Sequence, residues 1–106
     1  MKRLVLLTGA AGFVGQKILD SLLNRSLNVR LIIRTGSQKF IKLDNKIESI
    51  ITSDDIFQED AGWWENACRG VDMIIHSAWY TEPGVYLQSP KNLDCMIGTV
   101  KLAKVC

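Results

Sequence analysis

The sequence predicts an α/β fold, an open parallel sheet of strand order 3-2-1-4 with helices on both faces. Three observations carry this. Short apolar runs at residues 4–7, 28–34, 47–52 and 71–78 are rich in Leu, Val and Ile, as suits strands covered by helices on both sides. Between the runs the apolar spacing shifts toward the helical period. A glycine-rich segment, Thr8-Gly9-Ala10-Ala11-Gly12-Phe13-Val14-Gly15, joins the first run to the first helical pattern. Right-handed crossovers with a switch point after the first strand give the order 3-2-1-4.

Residues 4–7 form the first strand. From Phe13 onward, Val14, Ile18, Leu19, Leu22 and Leu23 make an apolar stripe at helical spacing, and Asn24-Arg25-Ser26 ends the helix. Residues 28–34 form the second strand, completing a strand–helix–strand unit of about thirty residues. A polar turn follows at 35–39, and 40–44 reads either as a short helix or as a loop. The β-branched run 47–52 is the third strand. Residues 62–69 form a short helix stopped by Gly70, and 71–78 the fourth strand. Residues 79–90 are irregular and hold both prolines, and 91–105 form a last helix with Leu93, Met96, Ile97, Val100, Leu102 and Val105 at its apolar positions. No repeat, low-complexity tract or linker divides the chain, so residues 1–106 read as one domain.

Composition narrows the function classes. The 106 residues are 47% hydrophobic and 23% charged, which is globular and not disordered. A net charge of +2 supports neither a nucleic-acid partner nor an anionic membrane. Cys68, Cys95 and Cys106 are an odd, widely spaced set without a CxxC pair; they read as reduced structural thiols of a cytoplasmic protein. The opening apolar run is too short for a signal peptide, and none reaches the length of a membrane span.

The glycine segment carries the chemistry. A strand feeding a helix through glycines aims the helix's unpartnered N–H groups, and its positive dipole end, at an anion. Gly9, Gly12 and Gly15 shape a pyrophosphate site, with donors around Phe13 and Val14. An NAD site usually carries an acid at the end of the second strand for the ribose 2′-OH. This chain has Arg34 there instead, a cation suited to the 2′-phosphate of NADP. NADP is therefore favoured over NAD, with Arg34 as a solvated strand-end charge the plainer alternative. Arg30 is less well placed, and Asp44 too far along to supply the missing acid. His76 reads as a hydrogen-bonded structural residue on a buried strand. Trp79 and Tyr80 either line a substrate entrance or fill a loop core. Trp63 and Trp64 cannot share one helix face, so one is core and the other packs under a loop.

The motif resembles the TGxxGxxG loop of the extended short-chain dehydrogenases/reductases, the NAD(P)-dependent epimerase/dehydratase family. Three further segments follow in the family's order. Asp55-Ile56 matches its Asp-Leu or Asp-Val pair after the third strand, residues 70–78 its GVDxVIHxAA segment, and residues 98–102 its GTxNLL helix. Cys95 departs from the family, which often has Asn there.

The resemblance implies a Rossmann-type sheet. It places Asp55 on the adenine amino group and Ile56 on its ring, though Asp54 or Asp55 also fits as a simple turn cap. It sets Ala78, with Trp79 beside it, against the ribose and nicotinamide side. The implied reaction is hydride transfer between nicotinamide and a small-molecule substrate such as a nucleotide-sugar, by an epimerase, dehydratase or ketoreductase. The family's catalytic Ser or Thr and its Tyr-x-x-x-Lys have no counterpart before Cys106; four residues beyond Tyr80 stands Gly84, and beyond Tyr86 stands Pro90. The expectation is a truncated cofactor-binding part, inactive by itself. It leaves apolar surface exposed through which copies could associate as a homo-oligomer. The alternative is a non-catalytic NADP sensor or scaffold.

Overall fold

The structure is a computed structural model that describes residues 3–78 and residue 97. The chain divides into two compact units, residues 1–54 with 70–78, and residues 55–69 with 79–106.

The first unit is a parallel sheet. β1 (Arg3–Thr8), β2 (Leu27–Arg34), β3 (Ile47–Ser53) and β4 (Met73–His76) lie in the order β3-β2-β1-β4, the expected 3-2-1-4. β1 has a neighbour on each side and is the most buried strand; Val5, Leu6, Leu7 and Thr8 are all essentially inaccessible. α1 (Phe13–Leu23) packs its Leu19 and Leu22 on Val5, Leu7, Val29, Leu31 and Ile33. These strand residues alternate, so they share one face of the sheet. Each fully buried aliphatic side chain stabilises the fold by about 1.5–3 kcal/mol.

Val14 belongs to the helical stripe by its spacing, but it is exposed at the first turn of α1. Gly15 is buried in its place, because the helix start lies too close to the preceding turn for a larger residue. α1 ends at Leu23 with Asn24 as its cap. The Lys46 ammonium donates to the Leu23 carbonyl, so a cation remote in sequence meets the negative helix end.

β4 spans only Met73–His76, shorter than the expected 71–78. Asp72 holds its lead-in, its carboxylate accepting from Leu4 N–H at 2.8 Å while its own N–H donates to the Leu4 carbonyl at 2.9 Å. A 3-10 turn at Gln38–Phe40 falls mainly within the expected polar turn, and the ambiguous stretch 40–44 is irregular chain beyond Phe40.

In the second unit, a 3-10 turn at Ile56–Gln58 precedes α2 (Ala61–Ala67). Asp60 caps α2 by accepting from Trp63 N–H at 2.8 Å. Gly70, the first residue of the returning segment of the first unit, has φ +77°, the left-handed conformation expected of a helix stop. Trp64 is buried and Trp63 half-buried, as the two-face reading requires. Their rings nevertheless meet edge to face, with centroids 4.8 Å apart.

The cysteine reading is corrected at Cys68, which is disulfide-bonded; sequence spacing does not report which thiols meet in space. The cysteine argument for a reducing compartment falls with it. Cys95, Cys106, Trp79, Tyr80 and most of the expected last helix lie outside the described residues; Ile97 is helical. Among the described residues no helix is long and apolar enough to cross a membrane, and no cluster of three or more His, Cys, Asp or Glu residues could hold a metal.

Candidate functional site

The site lies where β1 and β4 end side by side, at the switch point of the sheet. β1 leaves the sheet at Thr8 and turns through Gly9, whose φ is +75°. A Cβ on Gly9 would also sit 2.8 Å from both the Ala78 nitrogen and the Ser77 hydroxyl. Gly12 N–H returns to the Gly9 carbonyl at 3.1 Å, closing a tight turn. The Gln16 side-chain amide donates to the Ala11 carbonyl at 2.8 Å and braces that turn from the helix.

The three glycines differ in what they are for. Gly9 is demanded by its backbone conformation. Gly15 is demanded by packing, since a Cβ there would lie 1.8 Å from the Gly9 carbonyl oxygen. Gly12 is demanded by neither. Its φ of −78° and ψ of 168° suit any residue, and among the described residues a Cβ would meet only the Gly9 carbonyl, at 3.4 Å.

Gly12 is also the N-cap of α1. Among the described residues no side chain caps this helix end, and its first turn carries no acidic residue. The donors of the first turn therefore keep their anion-binding capacity. Phe13 and Val14 stand exposed beside them, with the Lys17 ammonium 4.8 Å from the centre of the Phe13 ring. A residue without a side chain, set at an uncapped helix start, fits close approach by a pyrophosphate.

Thr8 is the residue that sequence reasoning passed over. It is fully buried and ties the two strand ends together. Its hydroxyl oxygen accepts from Ser77 N–H at 3.1 Å and from Ala78 N–H at 3.3 Å, and lies 2.7 Å from His76 Nδ1. The Ser77 hydroxyl donates back to the Thr8 carbonyl at 2.6 Å. With both acceptor directions of the Thr8 oxygen used, its proton is left to donate to Nδ1. The His76 ring proton is thereby assigned to Nε2. Burial pushes the His76 pKa below its ordinary 6.5, in keeping with a neutral ring. A signal for this pairing existed, because Thr8 and His76 are the polar ends of two apolar runs that the expected strand order makes neighbours.

Arg34 ends β2 and is exposed. It lies two residues past Ile32, the register partner of Thr8, at the same carboxyl edge of the sheet as the glycine turn. Arg30 is engaged elsewhere. Its guanidinium binds the Glu48 carboxylate at 3.0 and 2.8 Å, which holds the Glu48 pKa below its usual value. Asp44 is occupied as a turn acceptor for Lys46 N–H.

Asp55 follows the end of β3 and caps the 3-10 turn, its Oδ1 accepting from Phe57 N–H at 3.0 Å. The cap thus falls to Asp55 and not Asp54, and the second Asp55 oxygen accepts no hydrogen bond among the described residues. Ile56 is buried. The structure brings Gly9, Gly12, Gly15 and Ala78 into one loop cluster; Trp79 lies outside the described residues.

A family model described as NAD dependent epimerase/dehydratase family matches residues 5–106. Among solved structures, the chain resembles UDP-glucose 4-epimerase of Thermus thermophilus in complex with NAD, at 24% identity and TM-score 0.74, covering 97% of this chain and 33% of that one. It resembles the Bordetella bronchiseptica enzyme WbmG in complex with NAD at 20% identity and TM-score 0.68, covering 99% and 34%. It also resembles uronate dehydrogenase of Agrobacterium tumefaciens, a Y136A mutant complexed with NAD, at 22% identity and TM-score 0.60, covering 99% and 36%. These likenesses establish a shared fold, and the chain spans about a third of the length of each.

Proposed function

The chain belongs to the NAD dependent epimerase/dehydratase family, and from that premise we propose that residues 1–106 form the dinucleotide-binding domain of an NAD(P)-dependent enzyme. The single observation that carries the reading is Gly12, a glycine that neither its backbone conformation nor any contact among the described residues requires, placed at an uncapped helix N-terminus. The continuous family match over 5–106 supports treating the chain as one domain.

The roles divide by chemistry. Gly9 and Gly15 shape the loop, and Gly12 leaves room for the pyrophosphate. The N–H groups of the first turn of α1, around Phe13 and Val14, donate to its oxygens. Asp55 accepts from the adenine amino group through the oxygen not used in capping, with Ile56 against the ring. Ala78 and Trp79 flank the ribose on the nicotinamide side. Arg34 pairs with a 2′-phosphate, which favours NADP over NAD; the solved relatives named above hold NAD by their descriptions, so this preference rests on Arg34 alone. Bound here, the nicotinamide would supply hydride transfer. The substrate class is a nucleotide-sugar, in keeping with relatives that include a UDP-glucose 4-epimerase and an NDP-hexosamine dehydratase. No residue of this chain is assigned as a catalytic acid or base.

Calorimetric titration of the chain with NADP+ and NAD+ tests the proposal. Binding of NADP+ is expected, and Gly12→Asp should abolish it while the circular dichroism spectrum is kept, because a carboxylate would stand where the phosphates lie. Equal affinity of the variant overturns the phosphate-loop assignment.

A further inference from the structure

His76 touches neither a proposed phosphate donor nor the adenine contact, yet it is joined to both strand ends that frame the cofactor site. Resting on the cofactor reading above, we infer that His76 is a proton-sensitive positioning residue. While its ring is neutral it holds the Thr8 hydroxyl in place, and through Thr8 the Gly9 turn and the Ser77–Ala78 backbone; protonation releases them and weakens dinucleotide binding.

Donor counting carries the inference. The Thr8 oxygen already accepts from Ser77 N–H and Ala78 N–H, and its one proton is aimed at His76 Nδ1, 2.7 Å away. An imidazolium has N–H groups at both nitrogens. Protonation at Nδ1 would turn a donor toward an oxygen with no acceptor direction left and strand the Thr8 proton. The hydroxyl must then rotate or withdraw, and the Ala78 and Ser77 amides lose a shared acceptor. Gly9 feels this directly, because it lies against those same two residues with no room for a methyl group.

The neighbouring end of β1, residues 6–9, carries no charged side chain, and neither do residues 73–78 around β4 other than His76 itself. Burial is what moves its titration. His76 is also the single histidine of the chain, so an imidazole signal reports this site alone.

The test uses the full chain. NAD+ is the probe, because a 2′-phosphate itself titrates near pH ~6. The affinity for NAD+ should fall a few-fold from pH 7.5 to 5.5, because the ring titrates below 6.5, and approach a loss of about tenfold, the worth of about one hydrogen bond, only once the ring is fully protonated. His76→Asn keeps an acceptor near the Nδ1 position but does not titrate in that range, and it should flatten the profile. Parallel profiles in the two proteins overturn the inference. The imidazole NMR signals of the ligand-free chain should show the Nε2–H tautomer and a pKa below 6.5; an Nδ1–H tautomer overturns the inference even if affinity varies with pH. Thr8→Val should abolish the tautomer preference and Thr8→Ser restore it, which separates the hydrogen bond from a general effect on folding. No binding of NAD+ or NADP+ at any pH would sink the cofactor reading and the affinity claim together, while the tautomer signals still judge the Thr8–His76 contact on its own.

Discussion

A Cβ built on Gly15 falls 1.8 Å from the carbonyl oxygen of Gly9. The first turn of α1 is thus pressed directly on the backbone that leaves β1. The oxygen cannot yield, because it already accepts from Gly12 N–H at 3.1 Å within the turn. Gly15→Ala should therefore destabilise the chain by at least about 3 kcal/mol, read by urea denaturation. Gly12→Ala should cost less than about 1 kcal/mol, since its backbone conformation suits alanine, while weakening NADP+ binding. Equal destabilisation by the two would show that the glycines share one structural role.

Thr8→Val should destabilise by about 1–3 kcal/mol, the cost of leaving buried or half-buried backbone donors without their acceptor. The change is nearly isosteric, so packing is preserved and the loss isolates the hydroxyl. Thr8→Ser should recover most of it. A Val variant as stable as the parent would mean that Ser77 N–H and Ala78 N–H find other acceptors.

Arg34 is exposed at the end of β2, so Arg34→Ala should leave the unfolding midpoint nearly unchanged. If it reads a 2′-phosphate, NADP+ affinity falls by about tenfold or more, the scale of a charge-assisted hydrogen bond, while NAD+ affinity changes little. A common loss for both cofactors would reduce Arg34 to an ordinary surface charge.

Stability should depend on pH in two separate windows. His76 titrates below its ordinary 6.5 when folded, because burial disfavours the cation. Between the folded and unfolded values the unfolded chain binds more protons, so acid favours unfolding there. The His76 contribution is complete above about pH 6.5, declines as pH falls through that value, and changes no further below the folded pKa. Glu48 gives the lower window. Its hydrogen bonds with Arg30, first, and with Ser49 hold its pKa below 4.5, so its contribution is present above 4.5 and is lost as pH falls through the folded value. Urea midpoints against pH for the parent and His76→Asn check the sign. A variant that retains the upper step would assign that step to another group.

The strand order, the helix after the glycine segment and the bounds of α1 were legible because they rest on local spacing and chain direction. Leu19 and Leu22 lie on the expected stripe and reach the core. Val14 has the same chemistry and spacing but faces solvent, because its neighbour Gly15 sits at the closest approach of helix to loop. The roles of Asp72, Lys46 and Thr8 were hidden for one shared reason. Their partners, Leu4, Leu23 and Ser77, are brought to them only by strand pairing and helix docking. The Cys68 disulfide was missed in the same way.

By itself, then, the sequence determined a strand–glycine turn–helix unit in a 3-2-1-4 sheet, the family match, and a cation in place of an acid at Arg34. The sheet unit and the charge follow from periodicity, backbone permissiveness and residue type, which act along the chain, while the family match rests on the resemblance of four ordered motif segments. Tertiary structure alone decided how the glycines divide their work, with Gly15 excluded from any side chain by a neighbouring carbonyl and Gly12 left open to a ligand. It alone also placed the Thr8 hydroxyl against His76. Hydrogen bonds and steric limits of this kind depend on distances of a few tenths of an ångström between residues far apart in sequence, and only the packed sheet sets those distances.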